Sequence, residues 1–382
     1  MKKSALALAV TAALVSFGSA AYADTTLYGS GRVSVDYVDN NTTPDLLSIQ
    51  PDGIAAYGVP GFDANWDVYN NSSRLGVRGE EDLGGGLAAI YQYEFGVDIT
   101  EGTPGLNSNR PKFVGLRGNS WGSVTLGTQW TPYYNVMGVA DIFNSNRSFA
   151  NSSVYLGNQF GMRVDNSVIY TTPNWSGFSA QAMLVMDRME NKDSKLNFAS
   201  TAPNISDDVD MWNLSATYKN GPFFVGTTYM VLNGNGHGAT SVGPFFNYIG
   251  ATRPSSDSDQ WGLAFGYNQG PFAITLSYEN GDLNNLYYGT TQNYYLTGQY
   301  TFGNNIIRAA YGYMAPDDDV IVRNFGTDSE VRRFQQNDIN NYILGYQYNL
   351  SKRTRVFAEY IGQDQDNNGD TNIVSIGTRV DF

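Results

Sequence analysis

From Thr371 to Phe382 the chain alternates with a period of two. Val374, Ile376, Thr378, Val380 and Phe382 fall on one face, and Ile373, Ser375, Gly377, Arg379 and Asp381 on the other. That rhythm is a β-strand with one apolar and one polar face. It recurs along the chain. Trp212, Leu214, Ala216 and Tyr218 share a face, as do Trp261, Leu263, Phe265 and Tyr267. So do Phe272, Ile274, Leu276 and Tyr278, then Tyr294, Leu296 and Tyr300, then Tyr342, Leu344, Tyr346 and Tyr348. Aromatic residues gather near the strand ends, as the two interfacial girdles of a membrane barrel require.

The connections alternate in length. Short ones carry turn residues, at 84–86, 119–122, 174–177, 220–222, 269–271, 303–305 and 351–352. Longer polar segments lie between them, at about 38–71, 100–109, 132–162, 189–208, 233–257, 281–289, 316–336 and 364–370. Seven short and eight long connections make fifteen, and hence sixteen strands. The expected fold is all-β, a 16-stranded antiparallel transmembrane β-barrel with both termini on the short-turn side. A soluble sandwich would also alternate, but nothing in it demands strict alternation of loop length. A barrel this wide cannot be filled by side chains, so its lumen is wet and lumen charges need no buried partner.

Composition narrows the picture. Residues 1–23 read as a signal peptide: Lys2 and Lys3, an apolar run from Ala5 to Phe17, then Ala21-Tyr22-Ala23 before the cut. The mature barrel is then 24–382, which is 382 − 23 = 359 residues. No apolar run beyond the leader is long enough for a transmembrane helix. The formal charge of −13 becomes −15 without the two lysines, too acidic for a nucleic-acid binder. Cysteine is absent, which removes disulfides and thiol chemistry. The only histidine, His237, sits in a Gly-rich loop, so a Ser–His dyad has no rigid frame and no enzyme is expected. Asp364-Gln365-Asp366-Asn367-Asn368-Gly369 matches half of a Ca²⁺ loop, but Ser375 stands where a bidentate Glu is needed. No cofactor and no metal are expected.

Several segments resemble the trimeric general (non-specific) porin family of Gram-negative bacteria. They are Thr26-Leu27-Tyr28-Gly29, the run from Ser73 to Gly84, Lys112 to Gly118, Gly122 to Gln129, Arg163 to Tyr170, and the terminal Phe382. Their order spans essentially the whole mature chain. The resemblance implies a homotrimer in the outer membrane, one pore per subunit, and a third long loop folded into the barrel to narrow it. It also implies that the terminal Phe382 is read during assembly. In this chain the third loop is 132–162. Family porins carry several acids there, whereas this loop has only Asp141, with Arg147 as a base, so a weaker transverse field is expected.

Strand parity assigns the lumen wall. With Leu75, Val77 and Phe113 facing lipid, Arg74, Arg78, Arg110 and Lys112 face inward. The same reasoning turns Arg32, Arg163, Arg308, Arg353, Arg355 and Arg379 inward, together with Asp36, Glu94, Glu279, Glu359 and Asp381. Arg32, Arg74, Arg110, Lys112, Asp141, Arg147 and Arg163 are the expected lining of the constriction. Bases outnumber acids there, while acids crowd the outer loops: Asp39, Asp45, Asp52, Asp63 and Asp67, then Asp317, Asp318 and Asp319. Divalent cations could bridge such loops to lipopolysaccharide. The expected function is a diffusion channel for small hydrophilic solutes and ions with a weak preference for anions. The alternative is a substrate-selective channel. A sugar channel needs a run of aromatics along the lumen, and these tyrosines fall mostly on the outward parity.

Overall fold

The computed structural model describes residues 24–40, 64–101, 106–107, 110–147, 163–186, 209, 211–232, 258–283, 289–316, 320–323, 330–334, 338–366 and 369–382. The expected leader 1–23, His237, and the loop acids Asp45, Asp52, Asp63 and Asp317 to Asp319 lie outside them.

Eighteen antiparallel segments form one closed sheet. Two strands are each interrupted once, which leaves sixteen. The first half comprises β1 (Asp24–Asn40), β2 (Asn65–Asn70, then Arg74–Gly84), β3 (Leu87–Val97), β4 (Leu106–Asn107, then Lys112–Gly118), β5 (Gly122–Trp130), β6 (Arg163–Thr171), β7 (Phe178–Val185) and β8 (Met211–Asn220). The second comprises β9 (Phe223–Leu232), β10 (Ser258–Gln269), β11 (Phe272–Leu283), β12 (Gly289–Phe302), β13 (Asn305–Pro316), β14 (Ile339–Asn349), β15 (Thr354–Gln365) and β16 (Gly369–Asp381). Strand β16 pairs with β1 and closes the ring. A separate hairpin, Val320–Arg323 with Glu330–Phe334, stands in the loop before β14.

The short connections fall where the turn residues placed them. The first long loop differs: its far end, from Asn65, is already strand. Strand β2 then breaks at Asn71–Ser73, where Ser72 has φ of +62°.

The outer face is apolar and banded. Leu27, Leu214, Leu263, Leu276, Leu344 and Ile376 are exposed where lipid would cover them. At the loop end, Trp212 meets Tyr229 at 5.3 Å, and Tyr278 lies 5.0 Å from Trp261 and 4.9 Å from Tyr294. At the turn end Phe223 meets Tyr267 and Phe272 meets Tyr300. Rings with a polar tip suit both edges of a bilayer, which accounts for the two belts.

Candidate functional site: the loop-narrowed lumen

The third loop enters the barrel as a short helix, α1 (Pro132–Met137), continued by a 3-10 turn at Gly138–Ala140. Thr131 caps it, its Oγ accepting the Tyr134 N–H at 3.0 Å, and Pro132 supplies a first-turn residue whose missing N–H is no loss. Tyr133, Val136, Met137 and Ala140 are fully buried against the inner wall. They join one apolar cluster with Met183, Met211, Met230, Ala264, Ile343, Ile361 and Ile373. Burial stabilises docking by about 1.5–3 kcal/mol for each large side chain.

The wall is shaped for this contact. A Cβ on Gly262 would lie 2.6 Å from Met137 Sδ, one on Gly226 2.9 Å from Val136 Cγ1, and one on Gly345 3.3 Å from Phe143. Glycine at these three inward positions lets the loop lie flat on the sheet. Replacing Gly262 with Val should lift α1 off the wall at a cost of about 1–3 kcal/mol. Planar-bilayer recording should then show altered single-channel conductance with the barrel still assembled.

Polar clamps complete the attachment, and each uses a buried wall group. Tyr133 Oη donates to Glu279 Oε1 at 2.9 Å, and the Tyr133 N–H donates to Asn213 Oδ1 at 2.7 Å. The Asn144 and Ser145 N–H groups donate to the two oxygens of Glu359 at 2.7 and 2.8 Å. Arg147 donates to Asp36 Oδ2 at 2.8 Å, reaches Asp67 at 3.3 Å, and stacks over Tyr69 at 3.9 Å. Asn146 donates its N–H to Asn71 Oδ1 at 2.9 Å, using the break in β2.

Beside the loop, within reach of Tyr134, stands a group of arginines. Arg110 pairs with Glu94 at 3.4 Å and donates to the Ser72 carbonyl at 3.1 Å, which the same break in β2 presents. Glu94 also accepts from Tyr28 Oη at 3.0 Å. Arg32 donates to Ser30 Oγ at 2.8 Å. Arg32 lies within electrostatic reach of Arg74, Arg110 and Arg379, and Arg163 within reach of Arg74 and Arg110. Asp141 is exposed at the end of the 3-10 turn, close enough to interact with Arg32, Arg379 and Arg74.

The structure therefore brings Arg32, Arg74, Arg110, Asp141 and Arg163 into one electrostatic cluster on the inner side of the barrel. Two other sequence-predicted residues stand differently. Lys112 is a correction: it pairs with Tyr93 and shares a face with the exposed Val114 and Leu116, so it is on the outer face, 5.4 Å from the Phe95 ring. The inward assignment assumed that Phe113 faces lipid, and Phe113 instead pairs with Gln92. Arg147 ties the loop to the wall, with its guanidinium matched by two carboxylates. Phe382 lies at the turn-side rim, paired with Gly29 by two 3.0 Å backbone hydrogen bonds. Gly29 and Gly31 do face outward on β1, yet the Phe382 ring occupies the space above Gly29, and only Gly31 is open.

Sequence reasoning missed the seat of the loop. The signal was present in Ile343, Ile361 and Ile373, apolar residues on a parity that a wet wall fills with polar ones. What covers them is far away in sequence.

A closed antiparallel barrel with an apolar, aromatic-banded outside and a charged, loop-narrowed inside defines the class: a membrane barrel with an aqueous lumen. The family model for the Gram-negative porin matches residues 7–369, and the chain belongs to that family. It is an outer-membrane barrel. It is 31% identical over 247 residues to an outer membrane porin protein of Bordetella pertussis, 63% of this chain and 62% of that one. It is 35% identical over 187 residues to outer membrane porin protein 32 of Delftia acidovorans, covering 47% and 48% of the two chains. The matches thus span between about half and three-fifths of these relatives' lengths. Among solved structures, an anion-selective porin from Comamonas acidovorans superposes with a TM-score of 0.64 at 22% identity, covering 94% of this chain and 100% of that one. OmpF of Salmonella typhi, solved with daunomycin, gives 0.61 at 15% identity, covering 94% and 97%.

Proposed function

We propose that the mature protein, cut after Ala23, forms a water-filled channel for passive diffusion of small hydrophilic solutes and ions, with a weak preference for anions. One observation carries the sign of that preference. Apart from Asp141, the lumen acids that parity assigned are engaged: Asp36 by Arg147, Glu94 by Arg110, Glu279 by Tyr133, Glu359 by loop N–H groups and Asp381 by Arg379. Arg32, Arg74 and Arg163 are in none of the ion pairs among the described residues. A compensated acid has a weak field at the ion path, and an uncompensated arginine keeps its own. The net charge of −13 does not decide the matter. At about 0.15 M salt the Debye length is roughly 8 Å, so distant loop charges are screened at the constriction.

Neutralising Arg74 tests this reading. A unit charge about 4 Å from the ion path is worth roughly 1 kcal/mol even in water, or about fivefold in local anion occupancy. Wild-type channels in a planar bilayer under a KCl gradient should give a reversal potential of anion sign. Arg74→Gln should move it toward cations, more at about 0.1 M than at 1 M salt, where screening shortens to about 3 Å. A cation-selective wild type unaltered by this substitution would overturn the reading.

The assembly is a homotrimer in this reading, joined through the outer face of β1 and β2. That face carries Leu27, Gly31, Val33, Val35, Leu75 and Val77, with the Phe382 ring over Gly29 at its turn end. Short aliphatic side chains and an open glycine suit a neighbouring barrel better than lipid. Outer-membrane lipid and lipopolysaccharide surround the trimer, with divalent cations bridging the acidic loops. We assign the protein no catalytic step.

A further inference from the structure

Arg163 approaches the lumen from the first residue of β6. It is the register partner of Trp130, the last residue of β5. Its guanidinium carbon lies 4.6 Å from the centre of the indole. The indole stacks in turn on Tyr134 of α1, with centroids 4.3 Å apart and planes 16° from parallel. Tyr134 is backed by Gly138, where an added Cβ would come within 3.1 Å of the ring. Its place is fixed further by the Thr131 cap, which binds its N–H. A continuous stack therefore runs from the inward loop, through the end of β5, to a lumen arginine that has no carboxylate partner among the described residues.

We infer that Trp130 is a positioning residue for ion selectivity: it holds the Arg163 guanidinium flat in one orientation, so that its N–H fork is presented to permeant anions. The inference rests on the anion-preferring reading above and deepens it. A free arginine side chain samples many rotamers, and its field at a fixed point is averaged over them. Stacking on an aromatic face selects among them. The guanidinium is suited to this because it is planar and weakly hydrated, whereas a lysine ammonium is a compact point charge with no face to stack. An exposed cation–π contact shifts the stacked population by roughly twofold to fivefold. The position also couples selectivity to the loop, because the face of Trp130 that meets Tyr134 belongs to α1's docking.

The test compares reversal potentials under a KCl gradient for the full-length trimer and five variants: Trp130→Leu, Trp130→Phe, Arg163→Gln, Arg163→Lys and the double variant Trp130→Leu/Arg163→Gln. Trp130→Leu should lower the anion-to-cation permeability ratio about twofold, with Trp130→Phe close to wild type because a ring is kept. Arg163→Lys keeps the charge and fold but should behave like Trp130→Leu, and it carries the test should the tryptophan variant fail to assemble. The double variant should be no less anion-selective than Arg163→Gln alone, because Trp130 acts only through Arg163. A Trp130→Leu channel with wild-type selectivity overturns the proposal, as does an additive double variant or an Arg163→Lys channel that matches wild type. The comparison is between variants, so a cation-selective wild type would overturn the anion reading while leaving the Trp130–Arg163 dependence to be judged by the same shifts.

Discussion

Replacing Glu359 with Ala should free the middle of the inward loop, giving a larger and noisier single-channel conductance and faster entry of large sugars in liposome swelling. Glu359 is 2% exposed and accepts three hydrogen bonds from Asn144 and Ser145, two from the backbone and one from the Asn144 side chain at 3.2 Å. Hydrogen bonds to a charged group are worth about 1.5–3 kcal/mol each, and the two freed backbone N–H groups would be left with lumen water, while the Asn144 side chain keeps Gln347 at 3.0 Å. Glu359→Gln should be intermediate: its amide keeps one carbonyl oxygen but turns an NH₂ toward the second N–H. The barrel itself should still assemble, because the loop keeps the Tyr133–Glu279 and Arg147–Asp36 clamps. Selectivity separates loop release from simple charge removal. Losing a lumen carboxylate beside Arg308 with the loop in place only favours anions further, at unchanged noise. Quiet current at wild-type conductance would show that the apolar seat of Val136, Met137 and Phe143 holds the loop without the carboxylate.

These clamps mark where sequence reading ran out. The strands, their number and the side of the termini were legible because period-two alternation and turn chemistry are local. The facing of Arg32 and Arg74 follows the same parity, since both sit in the ladders of β1 and β2. Parity failed at Lys112 because it was counted from Phe113 as a lipid-facing residue, whereas Val114 and Leu116 are the exposed ones on that stretch. It could not foresee the break in β2 either. Asn71 and Ser72 look like ordinary loop residues, yet they hold both Asn146 and Arg110. Nor could a chain read in isolation show that Gly226, Gly262 and Gly345 are bare because the third loop lies on them. Each pairing joins residues far apart in sequence, and only the closed barrel brings them together. The expected acid-poor loop is what makes this lumen lopsided: Asp141 is that loop's one acid beside the arginines, while the carboxylates that might have balanced them serve as anchors.

The seam between β1 and β16 yields a final expectation, in which two neighbouring glycines should respond differently to the same change. The β1–β16 ladder runs to Ser30 opposite Asp381, and beyond it Gly29 and Phe382 exchange N–H groups and carbonyls at 3.0 Å in both directions. The Phe382 ring lies over Gly29 so closely that a Cβ there would overlap it, and the ring is rigid, so it must leave the notch. At Gly31, two residues on along the same face, an added Cβ meets nothing within 4 Å. Gly29→Val should therefore weaken closure of the barrel by about 1–3 kcal/mol, the usual cost of overpacking. It should reduce the amount inserted in cells and lower the denaturant midpoint of the purified protein. Deleting Phe382 removes the ring and both hydrogen bonds, so it should do the same more severely while leaving conductance per inserted channel unchanged. Gly31→Val should leave the single barrel intact. If β1 faces a neighbouring subunit, the new side chain meets the neighbour, and unboiled gel samples should shift from trimer to monomer. A Gly31→Val trimer as heat-resistant as wild type would move the interface away from β1. A Gly29→Val barrel with normal yield and midpoint would show that the ring of Phe382 contributes nothing once the seam is zipped.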